Sequence, residues 1–159
     1  MKEKLLGIDP GTSDYNCSWA LLCEGKLEKF GTIDLKKIRH FPKKLDVIAQ
    51  RICDILEVNN VTCIACETYF ANFGKATGIV RIPELRGVLQ YLSSIYNLKW
   101  VDVHPSQMKK LIAGKGNATK DDVMKSVRKR CRLRKNIQVN SHEGDAIGIA
   151  LAAYELSKS

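Results

Sequence analysis

Seven consecutive residues, Val61 to Glu67, do most to limit the folds open to this chain. Val61-Thr62-Cys63-Ile64-Ala65-Cys66-Glu67 is a nearly continuous apolar run, as expected of a strand buried on both faces. A sheet covered on both sides needs helices, and the flanking sequence supplies them. From Phe41 to Val58, Leu45, Ile48, Ala49, Ile52, Ile55 and Leu56 recur at helical spacing. Between Ile79 and Leu98, a second stripe of Leu85, Val88, Leu89, Leu92 and Ile95 predicts a long helix, with Pro83 in or before its first turn. Trp100–Val103 reads as another strand, closed by His104-Pro105, and helical stretches follow near Ser106–Ala113, Thr119–Cys131 and His142–Leu156.

Upstream, Lys4–Asp9 is a short apolar run ending in the turn Pro10-Gly11, and Tyr15–Cys23 and Lys26–Ile33 flank the hairpin signal Glu24-Gly25. Three antiparallel strands, then helix–strand–helix–strand, then helices, predict an α/β fold: a mixed five-stranded sheet with helices on both faces. At 159 residues, without repeat, low-complexity tract or dividing linker, the expectation is one domain over residues 1–159. No apolar stretch approaches the ~18–20 residues of a membrane span. The opening Met1-Lys2-Glu3-Lys4 runs within two apolar residues into Gly7 and Asp9, too soon for a signal-peptide core. A cytoplasmic protein of a bacterial or phage-infected bacterial cell is expected, with its six cysteines as free thiols. Cys63-x-x-Cys66 looks like half a zinc site, but no second pair completes it, and an offset of three on a strand points the thiols to opposite faces.

Charge is unevenly spread. The chain carries a formal +9, and the stretch Lys99–Lys135 alone, with twelve Lys/Arg against three acids, accounts for all of it. The remainder is balanced. A polyanion is the natural partner, nucleic acid ahead of an acidic membrane surface. Arg128-Lys129-Arg130-Cys131-Arg132-Leu133-Arg134-Lys135 packs six cations into eight residues; their mutual repulsion would be relieved by a phosphate backbone, which makes Arg128, Arg130 and Arg132 candidate contacts.

Two carboxylates end apolar strands: Asp9 in Gly7-Ile8-Asp9-Pro10-Gly11-Thr12 and Glu67 in Ile64-Ala65-Cys66-Glu67. Each alone reads as a turn or capping residue. If the two strands pair in parallel, both acids emerge at one sheet edge, where open α/β sheets place ligands. Ser141-His142-Glu143-Gly144-Asp145 adds a third element, with His142 and Asp145 three apart on one helix face. Small apolar residues after them let that helix lie close on the sheet. Glu143 projects elsewhere, and Asn140-x-x-Glu143 resembles a capping box. Three carboxylates and an imidazole suit oxygen-preferring divalent ions, Mg²⁺ or Mn²⁺, and phosphodiester cleavage. His142 is the weaker ligand, because a helix N-terminus disfavours a cation nearby. Gly-Ile-Asp-x-Gly-Thr also resembles the phosphate loop of sugar kinases and actin-like ATPases, but those close two domains around a nucleotide and need well over twice this length.

With these motifs in order, the sequence resembles the RuvC family of Holliday-junction resolvases within the RNase H-like nuclease superfamily. Gly7–Thr12 matches the opening motif; Cys66-Glu67-Thr68-Tyr69-Phe70 the second, an acid followed three positions later by an aromatic; Leu85-Arg86-Gly87 an Ala-Arg-Gly-like segment. Ser106-Gln107-Met108-Lys109-Lys110 through Gly114-Lys115-Gly116-Asn117-Ala118-Thr119-Lys120 follows the family's lysine–glycine turn–lysine spacing, and Glu143-Gly144-Asp145-Ala146 matches the closing motif. The likeness spans about residues 4 to 155.

The resemblance implies an RNase H-like fold and a metal-binding catalytic set of Asp9, Glu67, His142 and Asp145. Many members carry Asp where this chain has His142, and others carry His. It implies phosphate contacts from Lys109 and Lys120, a task that Lys110 and Lys115 could share because spacing does not separate them. Phe70 falls on an aromatic that stacks against bases near the crossover, with Tyr69 and Phe73 as helpers. Mg²⁺ (Mn²⁺ as the alternative, two ions per site), a homodimer, and paired nicking of four-way or other branched DNA to 5′-phosphate and 3′-hydroxyl ends are implied likewise. Two rivals stand beside this reading: an RNase H-like nuclease acting on RNA, and a non-catalytic module that binds branched nucleic acid.

Overall fold

A computed structural model describes residues 1–10, 16–69 and 81–159. Strands β1 (Lys4–Asp9), β2 (Asn16–Cys23) and β3 (Lys26–Asp34) form the expected meander; β4 (Cys63–Glu67) and β5 (Lys99–Val103) complete a sheet of order β3-β2-β1-β4-β5. The β2–β3 hairpin turns on Glu24 and Gly25, both at positive φ (49° and 75°), the geometry whose twist matches the flanking strands. β1 is antiparallel to β2 and parallel to β4, and β4 is parallel to β5.

Alternation along the strands builds two cores. Leu6 and Ile8 of β1 and Ile64 and Cys66 of β4 face α1 (Phe41–Asn59) and α2 (Ile82–Ile95). Leu5, Cys63 and Ala65 face the opposite layer, made by α3 (Pro105–Ala113), α4 (Lys120–Arg130) and α5 (Ser141–Ser157). Cys63 and Cys66 thus lie on opposite faces, and all six cysteines are free. Burial pushes the Cys66 thiol up to about 12, so it stays protonated and inert.

The stripe on α2 differs at one end from the periodicity reading. Leu85, Leu89 and Leu92 are buried, whereas Ile95 and Tyr91 are exposed, because a step of about 100° per residue carries both onto the helix flank. Helix α5 is buried on all sides from Ala146 to Ala153, as an all-round apolar helix must be. It lies across all five strands and against α3 and α4. Its backbone comes close against β1 at Gly7, where an added Cβ would stand 2.6 Å from the Ala146 carbonyl oxygen and 2.7 Å from the Ala150 nitrogen. Among the described residues, no helix is long and apolar enough to cross a membrane.

Candidate functional site

The parallel register between β1 and β4 runs from Leu5↔Cys63 to Ile8↔Cys66. Asp9 and Glu67 are the next residue on each strand, and period-two alternation sends both side chains to the α5 face. The first turn of α5 meets them there. Asp9, His142 and Asp145 each offer a ligand atom, all within 4.8 Å of one another. His142 Nδ1 is 3.1 Å from Asp9 Oδ2, and Lys120 Nζ lies 3.8 Å from Asp145 Oδ2. Glu67 stands outside that three-residue cluster but within its field.

Electrostatics ties the four groups together. Burial, reinforced by the charges of Asp9 and Asp145, lifts the Glu67 carboxyl to about 7. Burial and Asp9 also raise Asp145. His142 is raised too, chiefly by its hydrogen bond to Asp9, a neighbouring carboxylate that the sequence reading did not set against the helix N-terminus. The two carboxyl shifts come first from burial and then from neighbouring carboxylates, a repulsion that a bound cation would relieve. A divalent cation fits that requirement, and carboxylate oxygens with one imidazole suit Mg²⁺ or Mn²⁺ better than a thiolate metal.

The end of α5 is held by a polar network that connects it to the meander. Asn140 and Glu143 form a reciprocal capping box, Asn140 Oδ1 accepting from the Glu143 N–H at 2.8 Å and Glu143 Oε2 from the Asn140 N–H at 3.0 Å. Thr32 of β3 donates to Glu143 Oε1 at 2.9 Å and accepts from Asn140 Nδ2 at 3.2 Å. With its single hydrogen given to Glu143, Thr32 takes that of buried Ser18, 2.9 Å away. Glu143 therefore caps and anchors, as the sequence indicated. Thr32 had no sequence signal, because nothing in a strand residue announces a partner more than a hundred positions away, and Ser18 enters only as its neighbour across the hairpin.

The basic residues separate into groups that spacing could not distinguish. Lys109 and Lys120 act electrostatically on both Glu67 and Asp145. Lys115 pairs with Asp122 at 3.5 Å, and Lys110 is exposed in the last turn of α3. Arg128 donates to the carbonyls of Arg134 and Ile137, the latter at 2.8 Å, and Arg130 to that of Leu111 at 2.6 Å. Arg128 thus fastens the connection between α4 and α5 and Arg130 ties the end of α4 to α3, while Arg132 is exposed at a φ of 51°. Tyr69 is half-buried just past β4. Phe70 and Phe73 lie outside the described residues.

Sequence reasoning gave no role to Arg86, although it noted the Leu85-Arg86-Gly87 segment. Arg86 reaches from α2 to the end of β4, donating to the Glu67 carbonyl and, at 2.6 Å, to Asp102 Oδ1.

Comparison with known proteins matches this arrangement. Residues 5–153 match the family model described as crossover junction endodeoxyribonuclease RuvC. The curated crossover junction endodeoxyribonuclease RuvC of Chloroherpeton thalassium is 30% identical over 161 residues, covering 97% of this chain and 83% of that protein. Among solved structures, Thermus thermophilus RuvC superimposes with a TM-score of 0.80 at 21% identity, covering 98% of this chain and 96% of that one. T. thermophilus RuvC in complex with Holliday junction substrate gives 0.81 at 19% identity, over 99% and 96%. At such identities the structures speak for the shared fold, while the family match and the curated relative speak for descent. With strand order, strand-end acids and closing helix all in place, the chain belongs to the RuvC family of crossover junction endodeoxyribonucleases.

Proposed function

We propose that this single-domain chain is a divalent-metal-dependent, structure-selective endonuclease that resolves four-way DNA junctions by paired nicking in the bacterial or phage-infected cytoplasm. The observation that carries the reading is the convergence of Asp9, His142 and Asp145 within 4.8 Å, with Glu67 coupled to them, at the ends of two parallel strands in a chain of this family. Asp9, Glu67, His142 and Asp145 would hold Mg²⁺ or Mn²⁺, two ions per site. When bound, the ions would lower the pKa of a water so that it loses a proton and becomes nucleophile enough for phosphorus, and would supply positive charge for the leaving 3′ oxygen. The products are a 5′-phosphate and a 3′-hydroxyl.

The protein's own part is to bring the phosphate in and hold the ligands still. Lys109 and Lys120, beside the carboxylates, take the scissile-strand phosphates, and exposed Lys110, Lys115 and Arg132 extend the contact along the backbone. The aromatics Tyr69, Phe70 and Phe73 would stack on bases opened at the crossover. Two copies are needed to cut two strands symmetrically; the exposed Tyr91 and Ile95 of α2 and Val58 of α1 support a homodimer through that layer.

The test is nicking of a synthetic four-way junction in Mg²⁺ and in Mn²⁺, beside linear duplex, flap DNA and RNA. Paired symmetric cuts in the junction are expected, abolished by Asp9→Asn and by Glu67→Gln with junction binding retained. Equal cutting of linear duplex, preferred cutting of RNA, or activity surviving both substitutions overturns the reading.

A further inference from the structure

The end of β4 is gripped from the layer opposite the carboxylate cluster. Arg86 sits on α2, which packs on the face away from α5. Its Nη1 donates to the backbone carbonyl of Glu67, and its Nη2 to Asp102 Oδ1 of β5 at 2.6 Å. The indole N–H of Trp100 donates to that same Asp102 oxygen at 3.1 Å, and the Arg86 guanidinium carbon lies 5.6 Å from the centre of the Trp100 ring. Arg86 is largely withdrawn from water, its side chain 13% exposed against 47% for Asp102. A charge so withdrawn needs its acceptors, and a planar fork with donors on two nitrogens suits a carbonyl and a carboxylate together.

The grip falls where the sheet's own hydrogen bonding gives out. The register between β1 and β4 closes at Ile8↔Cys66, one residue short of Glu67, and that between β4 and β5 closes at Glu67↔Val103. The N–H of Thr68 still donates to the Val103 carbonyl at 2.9 Å. The peptide unit that carries the Glu67 carbonyl is therefore tied to β5 on its nitrogen side and to Arg86 on its oxygen side. Both polar atoms of that plane are held, so the backbone from which the Glu67 side chain springs is held with them. The cations that act electrostatically on the Glu67 carboxyl are Lys109 and Lys120; Arg86 acts through the backbone.

We propose that Arg86, braced by Asp102 and Trp100, is a positioning residue that holds the Glu67 carboxylate in place for metal binding. This rests on the reading of Asp9, Glu67, His142 and Asp145 as the metal site. The group that positions a metal ligand commonly governs affinity by about 10–100-fold.

Titration of Mn²⁺ into the DNA-free protein, followed by the electron paramagnetic resonance of the free ion, reads this directly. Arg86→Gln is expected to weaken Mn²⁺ binding about tenfold. Arg86→Lys, which keeps the charge but can reach only one acceptor well, recovers part of the loss, and Asp102→Asn shows a smaller loss. In junction nicking, Arg86→Gln lowers kcat at limiting metal and leaves KM for DNA unchanged, and excess Mn²⁺ restores kcat. Thermal unfolding is recorded for each variant; should Arg86→Gln fail to fold, Arg86→Lys and Asp102→Asn carry the decision. Wild-type Mn²⁺ affinity in the folded variants overturns the proposal, whatever their stability. Asp9→Asn separates the two readings: if it too binds Mn²⁺ normally, the metal site itself is wrong, and if it alone loses Mn²⁺, only the role of Arg86 is wrong.

Discussion

Replacing Gly7 with alanine tests whether the closeness of α5 to β1 sets the geometry of the carboxylate cluster. The new Cβ would stand 2.6 Å from the Ala146 carbonyl oxygen, 2.6 Å from the Ala150 Cβ and 2.7 Å from the Ala150 nitrogen. Two of those three atoms belong to helix backbone, so no rotamer change relieves the clash; the helix must retreat. Restoring ordinary contact beyond 3.4 Å asks for a movement of about 1 Å, and overpacking of this kind costs roughly 1–3 kcal/mol. Asp145 and His142 ride on the same helix, away from Asp9 and Glu67. A misplacement of about 1 Å at a reacting centre costs on the order of 10²-fold in rate. Gly7→Ala should therefore remain folded at room temperature, melt roughly 2–10 °C lower, bind Mn²⁺ more weakly and nick junctions about a hundredfold more slowly. Ala150→Gly in the same chain removes only the Cβ contact and leaves the backbone ones, so rescue stays incomplete. Calorimetric melting, Mn²⁺ titration and single-turnover nicking measure the three effects. A Gly7→Ala protein that loses stability yet keeps wild-type metal affinity and rate refutes the coupling of helix distance to the site.

Stability of the metal-free protein should fall as pH rises from about 5 to 8. Glu67, lifted to about 7, and Asp145, also raised, bind protons in the folded state that the unfolded chain has released; raised His142 contributes stability below its unfolded value that is lost at higher pH. Allowing for solvent screening, Glu67 alone is worth about 2 kcal/mol. Mg²⁺ should stabilise more at pH 8 than at pH 5.5, and equal stabilisation at both, read by thermal unfolding, contradicts the carboxylate assignment. Thr32→Val strands the buried Ser18 hydroxyl and one Glu143 oxygen, for a loss of about 1–3 kcal/mol and faster hydrogen exchange at the start of α5; unchanged exchange there argues against the anchor. Junction affinity should fall steeply with salt, and Lys110→Gln should reduce the log–log slope by about one. Arg128→Gln should instead lower the melting temperature, because its guanidinium is bound to carbonyls; a slope change without destabilisation assigns Arg128 to DNA.

What the sequence disclosed followed from strict periodicities. Asp9 and Glu67 could be placed at one edge because a parallel register leaves strand-end residues side by side, and His142 with Asp145 because three residues bring a helix back to one face. The cap at Asn140–Glu143 was readable for the same reason: its bonds are local. Arg86, Thr32 and the carbonyl partners of Arg128 and Arg130 were not. A backbone carbonyl belongs to every residue and marks none, so a count of charges finds the guanidinium and misses what it holds. Density of charge between Arg128 and Lys135 suggested repulsion awaiting phosphate, and two of those cations also donate to backbone carbonyls, a structural task that the charge count does not show.

Helix α5 carries Asp145 and His142 and is also the core of its layer, yet it occupies the last part of the chain, Ser141–Ser157. During synthesis at about 5–20 residues per second, Asp9 leaves the ribosome roughly 7–27 s before Asp145. Throughout that interval the β-meander and the first strand-end acids exist without the helix that must cover them. The carboxylate cluster cannot assemble before α5 has emerged, and its closure coincides with the sealing of the hydrophobic layer. A product stalled before α5 would be an incomplete fold in which Asp9 and Glu67 lack both His142 and Asp145.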